Sequence, residues 1–274
     1  MTRAQALQRV VVRMLYDPVF AQAVRAQPDS ALAGLDLPEG AVAWLLTTDP
    51  RALDTDPFRR SRGVQSLIEL FPVSCACLAQ ARGIPALDSF FSSPHFHESI
   101  QRREAMRAAF TKWLEAEFGR ALPVGVVALE AAMVDARLGR QAAAHRPGAW
   151  LLRRDAAVAK VPEGALQWWQ SAHAALIDHP EGPVGAIAHG HAPLSWAAPS
   201  SDAPPEHWLA ERTPAGGAAL SGLSPALAGI LAACEAGATL DELAAVAAQF
   251  DASPAETREL LGELEAEGLL TQCL

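Results

Sequence analysis

Four dipeptides punctuate the first hundred residues: Asp17-Pro18, Asp49-Pro50, Asp56-Pro57 and Ser93-Pro94. An Asp or Ser side chain can accept a hydrogen bond from the orphan N–H groups at a helix start. Proline at the first helical position gives up an N–H that has no intrahelical acceptor there. Each pair therefore marks a helix N-terminus. Apolar stripes at helical spacing lie between them: Leu7, Val10, Val11, Met14 and Leu15, then Val64, Leu67, Ile68 and Phe71, kinked or ended by Pro72. A third stripe joins Phe96, Ile100, Met106, Phe110, Trp113, Leu114 and Phe118, and "VGVVALEAAMVDARLG" reads as a last helix. No strand of useful length is visible before it. Residues 1–144 read as a helical domain.

Half of the 274 residues are apolar, enough for a sizeable core and too many for wholesale disorder. No run approaches the roughly 18–20 apolar residues of a membrane-spanning helix. Arg9 and Arg13 interrupt the apolar N-terminal stretch, unlike the core of a secretory signal. Cys75, Cys77, Cys234 and Cys273 show no disulfide-framework spacing, so a cytoplasmic setting is expected. Cys75-x-Cys77 lacks a second pair for zinc and reads as small apolar side chains. A formal charge of −9 argues against a general nucleic-acid binder, and "RRSR" at Arg59–Arg62 reads as a solvated helix face.

The texture changes at His145. "AWLLRRDAAVAKVPEGALQWWQSAHAAL" reads as a short strand, a turn, then a helix or second strand. Residues 178–205 are rich in Pro, Gly, His and Ala and read as loops, with a strand over Val184–Ala188. Then comes a hairpin: Trp208–Arg212, the turn "TPAGG", and Ala218–Leu223. Three helices follow. Ser224 caps the first and Pro225 opens it, with Leu227, Ile230, Leu231 and Cys234 turned inward. Capping boxes start the others, Thr239 with Glu242 and Ser253 with Glu256. Leu260, Leu261 and Leu264 face the core of the last, and Gly268 ends it. The expected fold class is α+β and mostly α, an N-terminal helical domain followed over 145–274 by a winged-helix-like β/α domain.

Metal chemistry has two leads. "HFHESIQ" carries His95, His97 and Glu98, but Gln101 stands where the H-E-x-x-H zinc signature needs a second histidine. A neutral amide is a poor zinc ligand, and on a helix His95 and His97 point apart. The plainer reading is a helix start, capped by Ser93 and opened by Pro94. His189 and His191 would share one face of a strand, with no third ligand in view. No Gly-rich phosphate loop and no G-x-S-x-G nucleophile motif is present.

The last helix bears Glu256, Glu259, Glu263, Glu265 and Glu267 against Arg258, a face that would repel DNA phosphates. A peptide suits the unit better, added as a strand to the hairpin edge. The site would comprise Ala218, Ala219, Leu220 and Leu223 on the strand, with Arg258, Gly262 and Glu265 at i, i+4 and i+7 on the helix. Gly262 costs about 1 kcal/mol against Ala inside a helix, and close approach of a second backbone would use it.

"LSPALAGILAACEAGATLDELAAV" and "LLGELEAEGLL" resemble the PqqD-type precursor-recognition domains of ribosomal-peptide biosynthesis. "LYDPVFAQAVRAQPDSAL", "FPVSCACL", "FFSSPHFHESIQRREAMRAAFTKWL" and "VVALEAAMVDARL" are similar to partner subunits of multinuclear non-haem iron oxygenases in the methanobactin and thiaglutamate pathways. The resemblance implies a non-catalytic adaptor with no cofactor of its own. It would bind a precursor peptide along the third strand and third helix. It would present that peptide's C-terminal residue, a cysteine, to a separate iron-bearing oxygenase, with His95 and His97 at an exposed helix start as contact surface for that subunit. The alternatives are a metal-dependent enzyme using His95, His97, Glu98, His189 and His191, and a winged-helix regulatory protein.

Overall fold

A computed structural model describes residues 2–53, 59–119, 122–141, 143, 146–190 and 198–273. In chain order it begins with α1 (Arg3–Tyr16), α2 (Pro18–Ala26), α3 (Pro28–Ala31), α4 (Ala41–Thr47), α5 (Pro50–Leu53), α6 (Arg59–Leu70), α7 (Pro72–Arg82), α8 (Ile84–Ser89), α9 (Pro94–Arg102) and α10 (Met106–Phe118). There follow α11 (Val126–Leu138), β1 (Ala149–Leu152), β2 (Ala156–Pro162), α12 (Ala165–Ile177), α13 (Gly182–Ala188), β3 (Pro205–Arg212), β4 (Ala218–Leu223), α14 (Pro225–Ala236), β5 (Ala238–Thr239), α15 (Leu240–Ala247), α16 (Pro254–Ala266) and β6 (Leu270–Gln272). A mostly helical N-terminal region thus precedes a mixed β/α region. Two compact units result, one of Met1–Ala121 with Leu176–Pro193, the other of Leu122–Ala175 with Leu194–Leu274.

In the first unit the caps act as their chemistry dictates. Asp17 accepts the Phe20 N–H at 3.0 Å and starts α2, and Ser93 accepts the Phe96 N–H at 3.2 Å and starts α9. Asp56-Pro57 lies outside the described residues. Helices α6 and α7 are bent by 118° about Phe71, because Pro72 has no N–H to continue the ladder. No single described helix is long and apolar enough to cross a membrane. The stripe from Phe96 to Phe118 is split between α9 and α10 at Arg103, which adopts a left-handed φ of 55°. Phe71, Phe90, Phe91, Phe96, Phe110 and Trp113 still meet in one buried aromatic cluster. Val184–Ala188 is helix, not strand. Pro183 sits in the first turn of α13, and Gly185, Ala186 and Ile187 are buried where it packs on α6 and α7. A short apolar run carries no periodicity that separates the two states.

In the second unit β2, β3 and β4 form an antiparallel sheet in that order, and β5, β1 and β6 form another. The hairpin β3–β4 follows the expected register, with Arg212 opposite Ala218 and His207 opposite Leu223. One face of the first sheet, through Ala157, Ala159, Val161 and Ala210, packs on Leu129, Ala132 and Ala136 of α11. The sequence reading put that helix at the end of the helical domain. The other face, through Ala156 and Leu209, shares a core with Ile230, Leu231, Leu243, Leu261 and Leu264 of α14, α15 and α16. Helix α16 ends in a Schellman motif: Leu269 N–H bonds Leu264 C=O and Gly268 N–H bonds Glu265 C=O, with Gly268 at φ 73°.

Candidate functional site

The two edges of the β2–β3–β4 sheet differ. Glu163 N–H bonds Pro204 C=O, and Arg212 N–H bonds Asp155 C=O. Antiparallel ladders alternate bonded and non-bonded pairs, so these two bonds fix the phase along β2 and β3. Ala156 and Val158 therefore turn their backbone groups away from β3, toward the outer edge of β2. Both are taken. Glu235 of α14 accepts the Val158 N–H at 2.7 Å, and Arg140 donates its Nε–H to the Ala156 carbonyl at 2.8 Å. Burial holds the Glu235 carboxyl above its usual range, opposed by the Val158 N–H and the Arg140 charge.

The same phase runs across β3. Thr213 N–H bonds Gly217 C=O in the turn, which makes Glu211–Ala219, Leu209–Ser221 and His207–Leu223 the bonded pairs. The N–H and C=O groups of Ala218, Leu220 and Gly222 consequently face outward, and β4 is the last strand of the sheet. Side chains thus occupy part of the β2 edge, whereas among the described residues the outward main-chain groups of β4 meet no partner.

The side chains proposed for the site lie on β4 and on α16. Ala218 and Leu220 are half-buried against the α11 side, Ala219 is exposed, and Leu223 packs into the α14–α16 core. Arg258, Gly262 and Glu265 all lie on the exposed face of α16. A Cβ placed on Gly262 would meet nothing within 4 Å. Leu260 of α16 reaches the same core as Leu223, so strand and helix share a foundation. Glu256, Glu259, Glu263, Glu265 and Glu267 are likewise exposed, and this face of the helix is acidic.

The histidines fall differently from expectation. His95 is half-buried and His97 is only 4% exposed, so the expected exposed helix start is largely covered. Among the described residues neither ring nitrogen of His97 has a hydrogen-bond partner, and Gln101 Nε2, one turn on, is also buried without one. Burial pushes the His97 pKa down to about 4, with help from the Arg13 and Arg9 charges and against Asp17. Glu98 is exposed and pairs with Arg102 at 3.4 Å. His189 Nε2 lies 2.9 Å from Glu181 Oε2, and His191 lies outside the described residues. Among the described residues no group of three or more His, Cys, Asp and Glu could hold a metal ion.

Sequence reasoning missed Glu235 and Arg140, because a Glu near a helix end and an Arg after Gly139 look solvated. Their role depends on contacts 77 and 16 residues away along the chain. No family model matches the chain, and a comparison with curated proteins finds no relative.

Proposed function

We propose that this chain is a non-catalytic adaptor that docks a ribosomally made precursor peptide and presents its C-terminal cysteine to an iron-dependent oxygenase. The docking unit is winged-helix-like in this reading, with the peptide added as a fourth strand beside β4 and covered by the outer face of α16. The open ladder on Ala218, Leu220 and Gly222 carries the proposal, since main-chain pairing at a free edge is a recurring mode of peptide capture. The partly capped β2 edge adds to it: side chains of Glu235 and Arg140 occupy main-chain groups there, which favours the other edge for an incoming strand. The resemblance to PqqD-type domains and to oxygenase partners supplies the peptide's origin and the identity of the catalyst. Gly262 leaves room on α16 for a second backbone.

The test is peptide binding by fluorescence polarisation with the precursor encoded beside the gene, at an expected Kd near micromolar, roughly −8 kcal/mol. Gly222→Pro removes an outward donor without breaking the β3–β4 ladder, and Gly262→Trp fills the space over α16. Each should lower affinity about tenfold or more while circular dichroism stays unchanged. Parental affinity in both folded variants would sink the docking site. Co-expression with the cognate oxygenase should yield a complex on size exclusion, burying roughly 1,600 Å² or more. Failure to co-elute would remove the adaptor role.

A further inference from the structure

A cleft of about 680 Å³ opens in the second unit where α11 ends and β2 begins. Arg140, Arg153, Arg154 and Arg212 line it, against the carboxylates of Asp155 and Glu235. Glu211 beside Arg153 and Asp135 near Glu235 add two further acids, so the cation charge left for a ligand is that of the arginines without an ion pair among the described residues.

The four arginines have separate duties. Arg140 is structural: besides Ala156 it donates to the Glu235 carbonyl at 3.1 Å and the Leu152 carbonyl at 3.0 Å. Arg153 is neutralised by Asp155 and by Glu211, the latter at 3.2 Å. Arg154 uses its Nε–H on the Arg140 carbonyl at 3.0 Å and has no ion pair among the described residues. Arg212 makes no side-chain hydrogen bond or ion pair among the described residues, and both side chains are exposed at the cleft. Two guanidinium forks therefore stand ready for an acceptor, and that geometry suits carboxylates in a bidentate manner.

Position decides the kind of ligand. Arg212 closes β3 and stands opposite Ala218, the first residue of the open edge. Arg212 lines the cleft and no residue of β4 does, so a peptide paired to β4 would reach it by turning across the end of β3 beyond Ala218. A long polyanion would meet the acidic remainder of the chain, whereas a short acidic segment would feel the local arginines. We infer that the cleft of Arg154 and Arg212 binds the carboxylates of an acidic peptide segment, one that continues past the Ala218 end of β4.

The inference rests on the docking proposal for the ligand's being a peptide, and the experiment separates the two. A labelled Glu-rich hexapeptide and its Gln counterpart are titrated into the full chain at low salt. Binding of the Glu peptide alone is expected, weakened about tenfold or more by Arg154→Ala/Arg212→Ala and abolished by Arg212→Glu. Those substitutions leave the side-chain hydrogen bonds of Arg140 and Arg153 in place, and circular dichroism verifies folding. Loss in the arginine variants with Gly222→Pro unaffected supports the cleft and separates it from the β4 edge. No binding of the Glu peptide, or equal binding by the folded double variant, overturns the cleft and leaves the edge proposal standing. Tighter binding of a single-stranded oligonucleotide than of the Glu peptide, lost in the same variants, overturns the peptide assignment.

Discussion

Acidification should destabilise the first unit through His97. The side chain is 4% exposed, its ring nitrogens have no hydrogen-bond partner among the described residues, and the nearby Arg9 and Arg13 charges oppose a further cation. Its pKa falls from 6.5 to about 4 on folding. A depressed folded pKa means that the unfolded chain binds the proton more readily between these values. The neutral ring's stabilisation is complete above the unfolded pKa and drains away as pH falls from 6.5 toward 4. At 1.36 kcal/mol per pH unit the whole effect is about 3 kcal/mol, of which about 2 kcal/mol is lost between pH 7 and pH 5. The assay compares urea unfolding of the parent and His97→Leu at both pH values, followed by far-UV circular dichroism. The variant should lose about 2 kcal/mol less than the parent on acidification, and an NMR titration of the His97 ring should place its midpoint near 4. An unchanged difference between the two proteins, or a midpoint near 6.5, would refute the reasoning.

Glu235→Ala strands the Val158 N–H and should cost about 2 kcal/mol in denaturant unfolding, whereas Glu235→Gln keeps an acceptor for that N–H and should cost under about 1 kcal/mol. Gly63→Ala is expected to destabilise despite alanine's better helix propensity of about 1 kcal/mol. Its Cβ would sit 2.5 Å from the Phe91 ring, which is fully buried and has nowhere to go; a melting temperature at or above the parent's would count against this packing.

Local chemistry was written openly in this chain. Ser93, Thr239 and Ser253 cap the helices that their positions announce, since a cap needs only a hydroxyl and an N–H three residues on. The hairpin Ala218–Leu223 was legible because "TPAGG" supplies its turn and the flanking residues suit strands. Val184–Ala188 was not: five apolar residues fit either state, and packing on α6 and α7 chose helix. The exposure of His97 was beyond sequence reasoning for a related reason, since its neighbours in space, Arg9, Arg13 and Asp17, lie about eighty residues earlier. The candidate site divides along the same line. The sequence by itself determined that a β-hairpin is followed by three capped helices, the last of them acidic and carrying Gly262. Only tertiary structure decided which sheet edge is open. Strand order, hydrogen-bond phase, the seal of Glu235 and Arg140, and the meeting of Arg154 with Arg212 all join residues far apart in the chain, and no local pattern of side chains records such pairings.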